Sequence, residues 1–283
     1  MASKQQLRKK AALSQGKLEQ LKKTVWDYYR ANRRDFPWRR NINPYRVLVS
    51  EIMLQQTQVS RGAVKYKEFL KQFPTFKALA QASNAEVLAA WQGLGYNRRA
   101  LYLKKTAEVV MKEHKGKLPD SAVLLMRLPG IGVYTAGAVC AFAFNKPVVF
   151  IDTNVRRVFI HHFFNDRVDV TDAELEPLVE AALDRDNARE WYSALMDYGS
   201  MLGLKEENAN KRSAHYVKQS KFEGSLRQVR GKILKLLTGK QRHATWKELQ
   251  NALGETEERI DLAIKGLEKD GIVVIKKNII RIV

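Results

Sequence analysis

Residues 128–139 read LPGIGVYTAGAV, and the fold turns on this stretch. Gly130 and Gly132 flank Ile131 between two runs of helical periodicity, and glycine accepts the positive φ of a tight hairpin. The next helix opens on small residues (Thr135, Ala136, Gly137, Ala138), which lets it approach a neighbour closely. A turn of this kind aims the backbone N–H groups at the start of the following helix toward an anion. Leu128, Gly130, Gly132 and Val133 are thus the expected contacts to a polyanionic backbone.

Helical spacing continues on both sides of the hairpin. It predicts helices over 17–32, 44–58, 61–72, 75–81, 84–92, 97–114, 121–127, 133–144, 153–163, 172–184 and 187–201. Short breakers such as Phe73-Pro74 and Gly93-Leu94-Gly95 separate them. From about residue 223 the pattern changes: helices over 225–238, 245–253 and 256–270 precede the runs IVVI and IIRIV, split by Lys276-Lys277-Asn278. Three helices and a basic-tipped hairpin read as a winged helix, with Lys265, Lys269, Lys276 and Lys277 available to phosphates.

The charge agrees with that reading. Fifty Lys and Arg against thirty Asp and Glu give a formal charge of +20, which points to a nucleic acid because each neutralised phosphate releases a counterion. The single cysteine, Cys140, excludes a disulfide framework and any Cys-rich metal site. No apolar run reaches the ~18 residues a membrane span needs, and the basic start MASKQQLRKK lacks the apolar core of a secretory signal. An intracellular location and no membrane partner are the expectation.

Two carboxylates stand out. In PYRVLVSEIMLQQTQV (44–59), Val47, Leu48, Glu51, Leu54 and Gln55 share one helical face, so Glu51 lies on the apolar stripe. A carboxyl there must be paired, with Arg39 or Arg46 as candidates, or must keep its proton as a general acid does. In VVFIDTNVRRVF (148–159), Asp152 ends an apolar run and starts a helix. It reads either as a plain N-cap or as a carboxylate held beside a developing positive charge.

These three stretches, in this order, resemble the helix-hairpin-helix DNA glycosylases with a Gly/Pro-rich loop and a catalytic aspartate, over about residues 35–202. FPWRR, SEIMLQQTQV, WQGLGY and MDYGSM resemble the MutY branch, and LQQT is the most specific of them. The resemblance implies a monofunctional enzyme that flips adenine from a mispair with 8-oxoguanine or guanine and hydrolyses its glycosidic bond. Glu51 would protonate the flipped base, Asp152 would stabilise the oxocarbenium-like sugar, and Asn154 would position Asp152. Tyr134 stands where bifunctional relatives hold a Schiff-base lysine, so strand cleavage is not expected. Trp38, Arg39, Leu54 and Asp197 would line the base pocket. Gln56 and Tyr96 would wedge beside the opposite base, and Thr57 would contact it. The alternative is excision of thymine or uracil opposite guanine, against which Gln55-Gln56 speaks, since those relatives usually carry a basic pair there.

The chain also departs from the family. The stretch after MDYGSM, where relatives hold an iron-sulfur cluster on four cysteines, reads LGLKEENANKRSAHYVKQSKFEGS and has none, so no cofactor or metal is expected. Asp197 stands where a Glu is common. A C-terminal domain resembling nucleotide hydrolases has no counterpart in residues 223–283. The expected architecture is mainly α: a basic tail (1–16), a two-lobed glycosylase fold (17–220, lobes 45–152 and 17–44 plus 153–220) and a winged helix (223–283). A monomer acting on duplex DNA with a mismatch or an oxidised base completes the expectation.

Overall fold

The computed structural model describes residues 4–205, 207–218, 221–239 and 242–283, with side chains from residue 15 onward. The chain divides into two compact units: residues 1–42, 120–122 and 132–218 in the first, and 43–119, 123–131 and 219–283 in the second.

The first unit is built from α1 (Lys4–Asn32), α2 (Pro37–Arg40), α9 (Val133–Phe144), α10 (Thr153–Phe163), α11 (Asp172–Ala182), α12 (Ala188–Lys205) and a 3-10 turn (Ala209–Arg212). Of the expected N-terminal tail, residues 1–3 lie outside the described residues, and the helix already runs from Lys4. Leu21, Val25, Phe159, Trp191 and Tyr192 sit in its core with 1% exposure or less. Residues 132–152 belong to this unit, whereas the sequence reading put them in the other lobe. The cause is packing: Gly137 on α9 brings the backbone onto Phe150, whose ring stacks on Tyr192 at 3.9 Å. Tyr192 in turn donates to the Val148 carbonyl (3.0 Å) and accepts from the Phe150 N–H (3.2 Å), fixing the extended approach to Asp152.

The second unit holds α3 (Pro44–Leu54), α4 (Val59–Gln72), α5 (Phe76–Gln81), α6 (Asn84–Ala90), α7 (Arg98–Glu113) and most of the short α8 (Ala122–Leu125). Its C-terminal part runs α13 (Leu226–Leu237), β1 (His243–Ala244), α14 (Trp246–Leu253), α15 (Glu257–Lys269), β2 (Val273–Lys276) and β3 (Ile279–Ile282). The sheet order is β1-β3-β2, all antiparallel, which is the winged-helix arrangement. Lys276 pairs with Ile279, so the wing turns on Lys277 and Asn278 alone, both at positive φ (49° and 67°). Strand β1 escaped the sequence reading because two residues carry no alternation. Among the described residues no helix is long and apolar enough to cross a membrane.

Candidate active site

Asp152 is the N-cap of α10. Its carboxylate accepts from the backbone N–H groups of Asn154 (2.9 Å) and Val155 (2.6 Å), so the capping role is real. The second oxygen accepts from Asn154 Nδ2 at 3.0 Å. That amide is oriented because Asn154 Oδ1 accepts from Arg157 Nη1 (3.1 Å), which also donates to the Gly199 carbonyl (2.7 Å). Part of the residue reaches the surface, yet the carboxyl is crowded by protein. Burial pushes its pKa above the usual 3.8, against the pull of those N–H donors and of Arg156. A cap alone has no need of a desolvated carboxyl held by a second, side-chain donor.

The helix behind Asp152 is seated by α12. A Cβ on Gly199 would stand 2.6 Å from the Asn154 carbonyl oxygen, and one on Gly203 would stand 2.7 Å from the Arg157 guanidinium. Gly199→Ala is therefore expected to cost about 1–3 kcal/mol in thermal or denaturant unfolding and to slow the chemistry by displacing Asn154. From the other side, Asn210 Nδ2 donates to the Thr153 carbonyl (3.0 Å) and Asn208 Oδ1 accepts from Arg157 Nε (3.1 Å). Polar side chains thus tie the segment after α12 to the start of α10. That segment cannot hold an iron-sulfur cluster: four thiolates are needed, and the one cysteine, Cys140, is buried on α9, where its Sγ donates to the Asp120 carbonyl (3.8 Å). Among the described residues no group of His, Cys, Asp and Glu has the makings of a metal site.

Two of the expected base-pocket residues, Arg39 and Asp197, bond to each other. Asp197, 1% exposed, accepts from the Arg34 N–H (3.0 Å), Arg34 Nε (2.7 Å), and Arg39 Nη1 (2.8 Å) and Nη2 (2.9 Å). Arg39 gives its remaining terminal hydrogens to the carbonyls of Arg34 (3.0 Å) and Ser193 (3.2 Å). With all four committed, the guanidinium anchors α2 to α12. What α2 presents is an aromatic stack, Phe36 on Trp38 at 4.9 Å, with the Arg34 and Arg39 guanidinium groups 5.0 and 5.2 Å from the Phe36 ring. Tyr134, on α9, packs edge-on against Phe150 (5.8 Å), two residues before Asp152.

Glu51 belongs to the second unit. Helix α3 starts at Asn43, whose side chain accepts from the Tyr45 and Arg46 N–H groups, with Pro44 in the first turn. Tyr45 and every residue from Val47 to Met53 are buried, so α3 is enclosed all round rather than along one stripe. Glu51 sits in the middle at 9% exposure, and Arg46 lies beside Tyr66. Leu54 closes the helix against Gly62, where a Cβ would lie 2.8 Å from its Cδ2.

The helix stops at Leu54 instead of running on to residue 58, and Arg99 is the reason. Its Nη1 donates to the carbonyls of Ile52 (2.7 Å), Met53 (3.2 Å) and Gln55, and its Nη2 to those of Leu94 (3.2 Å) and Gly95 (3.1 Å). Nη2 also reaches Thr57 Oγ1 at 3.4 Å, and the guanidinium lies 5.6 Å from the Tyr96 ring. Burial pulls its pKa down to about 10, which leaves it charged at neutral pH. One cation thus knots the Gln55–Thr57 loop to the Leu94–Tyr96 loop. Gln56 and Tyr96 both hold the left-handed backbone (φ 52° and 46°) that non-glycine residues avoid, and both are exposed. Sequence reasoning passed over Arg99 because no local pattern announces the carbonyls of Ile52, Met53 and Gln55 that it meets. Arg99→Ala is expected to cost at least about 3 kcal/mol, since it strands buried carbonyls, and Arg99→Lys should recover only part of that.

The hairpin rests on α7. Gly130 has φ 75°, and a Cβ there would meet Tyr102 at 2.6 Å, so glycine is required twice over. Thr106 Oγ1 donates to the Pro129 carbonyl (2.8 Å). Gly132 departs from expectation: its backbone is extended (φ −92°) and it serves as the N-cap of α9. Leu128 is a core residue at 3% exposure whose carbonyl closes the turn, whereas Val133 is 74% exposed at the helix start. Lys276 and Lys277 are exposed on the wing.

This combination of a glycine hairpin, a capping aspartate held by an asparagine and a buried helical glutamate defines a class. The family described as HhH-GPD superfamily base excision DNA repair protein matches residues 49–181. The adenine DNA glycosylase of Mycobacterium tuberculosis (strain ATCC 25618 / H37Rv) is 35% identical over 267 residues, which span 87% of this chain and 88% of that protein. A solved thermostable thymine-DNA glycosylase superposes with a TM-score of 0.62 at 27% identity, covering 69% of this chain and 91% of that one. Endonuclease III trapped covalently on DNA shares the fold, with a TM-score of 0.56 at 21% identity over 71% of this chain and 88% of its own. The chain belongs to the MutY-type glycosylases of the HhH-GPD superfamily.

Proposed function

We propose that this protein hydrolyses the N-glycosidic bond of adenine mispaired with 8-oxoguanine or guanine in duplex DNA, as the first step of base excision repair. The observation that carries the reading is Asp152, a desolvated carboxylate held between two backbone N–H groups and Asn154. In the proposed reaction the adenine flips out of the helix, and unstacking costs least at a mispair. Glu51 protonates a ring nitrogen, the bond from that base to C1′ breaks, and adenine leaves neutral. Asp152 stabilises the positive sugar until water adds to C1′ and releases a proton. Trp38 and Leu54 line the pocket, Gln56 and Tyr96 wedge beside the opposite base, and Thr57 contacts it. The hairpin at Gly130–Val133 holds a phosphate, with further phosphate contacts from Lys276 and Lys277.

Tyr134 has no amine with which to form an imine, so the reading includes base release without strand cleavage. The likeness to a thymine-DNA glycosylase favours a second reading, removal of thymine or uracil opposite guanine. Chromatographic identification of the base released from duplexes bearing A opposite 8-oxoguanine, A opposite G, T opposite G and U opposite G separates the two. Adenine from the first two duplexes is expected, and pyrimidine release from the others would replace the proposal with the second reading.

A further inference from the structure

The winged-helix segment is fixed to the part of its unit that presents Tyr96. Gln92 Nε2 donates to Thr238 Oγ1 at the end of α13, and Asn84 Nδ2 donates to the Val283 carbonyl at 2.7 Å. Arg98 Nη1 stands 4.0 Å from Asp270, which closes α15 and also receives Arg230. Gln92 lies four residues before Tyr96 and Arg98 two after, so these bonds bracket the loop that carries the exposed ring. The segment sits beside that loop as part of the same compact unit, not as a free appendage.

Charge then selects which of its faces meets a polyanion. In winged helices and their relatives the helix before the wing commonly enters the groove. Here that helix, α15, opens on Glu257 and Glu258 and carries Asp261 and Glu268; of its bases, Arg259 pairs with Glu255 at 2.9 Å, Lys265 pairs with Asp261 at 2.7 Å, and Lys269 stands in the last turn. Acidic groups in its first turn repel phosphate and satisfy the helix N-terminus themselves. The wing is the opposite case: residues 271–283 contain Lys276, Lys277 and Arg281 and no acid. All three are exposed, and Arg281 pairs across the sheet with exposed His243.

We infer that the winged-helix segment is a phosphate clamp on one strand: its sheet, through Lys276, Lys277 and Arg281, grips the backbone of the strand that carries the base opposite the excised adenine. The strand follows from the docking, because the segment brackets the Tyr96 loop and Tyr96 is the wedge beside the opposite base. To that extent the inference rests on the proposed function. It gives the third helix no part in reading bases.

The test compares the chain of residues 1–283 with its K276Q/K277Q/R281Q variant on a duplex holding one A opposite 8-oxoguanine. Loss of three phosphate contacts should reduce the slope of log affinity against log salt by about 2.7, at roughly 0.9 per contact. Between 50 and 200 mM salt the variant should then lose about 40-fold less affinity than the parent. Hydroxyl-radical protection of the opposite-base strand should fade, with protection of the adenine strand retained. Matched thermal unfolding confirms that both proteins are folded, and Lys277→Gln alone should lower the slope by about 0.9. An unchanged slope and footprint would overturn the clamp and leave this face to a protein partner; loss of protection on the adenine strand would also overturn it. Adenine release by the parent is scored on the same duplex. Its absence would undo the proposed function, whereas release with an unchanged slope undoes only the clamp.

Discussion

Glu51→Gln is expected to lose adenine release by about 10³-fold, within the range a general acid contributes, while affinity for the mispaired duplex stays within about twofold. The side chain sits in the middle of a helix buried on every side, so an isosteric amide preserves its shape and packing. What it removes is the transferable proton. An adenine anion is a poor leaving group, and no other carboxyl lies among the buried residues of α3 to take over the task. Single-turnover release at enzyme excess separates chemistry from binding, and anisotropy on the same duplex reports affinity. A variant that releases adenine at the parent's rate would remove Glu51 from the mechanism.

Asp152→Asn should show two effects of opposite sign. Base release is expected to fall by about 10³-fold, because a neutral amide gives the developing oxocarbenium no counter-charge. Stability should rise. A carboxyl whose folded pKa lies above its ordinary value favours the fold at low pH, and that contribution is lost as pH rises through the raised value. At neutral pH the carboxylate is therefore a burden on the folded state. Asparagine can still accept from the N–H groups of Asn154 and Val155, so the cap survives, while its NH2 replaces the oxygen that accepts from Asn154 Nδ2 and offsets part of the gain. The variant should unfold about 1–3 °C higher at pH 7, with the gap narrowing toward acid pH. The same shift sets the acid limb of the parent's activity, which should fall off above the usual aspartate range as Asp152 takes up a proton. A lower melting temperature with activity retained would return Asp152 to the role of a plain cap.

Much of this was legible in the sequence because local chemistry and tertiary need coincide. Pro129-Gly130 can only be a turn, and Asp152-Thr153-Asn154 can only begin a helix, whereas the end of α3 at Leu54 was missed because its cause, Arg99, lies far along the chain. Periodicity fixed the helices but not their surroundings: α3 looked amphipathic and is enclosed, because its polar positions include Ser50, which donates to its own helix at the Val47 carbonyl (2.8 Å). The arginines were least legible. Arg34, Arg39, Arg99 and Arg157 are anonymous members of a basic chain until the fold surrounds each with carbonyls and carboxylates far away in sequence. Arg39 illustrates this: the resemblance names it for the base pocket, and only the fold shows its terminal N–H groups held by Asp197 and two carbonyls. The grouping of residues 132–152 with the N-terminal helices depends on Gly137 meeting Phe150, a contact that no spacing rule announces.

The most direct test of the central claim is single-turnover reaction of the protein with a duplex holding one adenine opposite 8-oxoguanine. Free adenine and strand breaks are followed together, with and without hot alkali, and with borohydride present to trap any imine. The account predicts free adenine, breaks at that position only after alkali, and no trapped protein–DNA adduct. An intact adenine strand would contradict the assigned substrate, and breaks without alkali accompanied by a trapped adduct would contradict a hydrolytic enzyme with tyrosine at position 134.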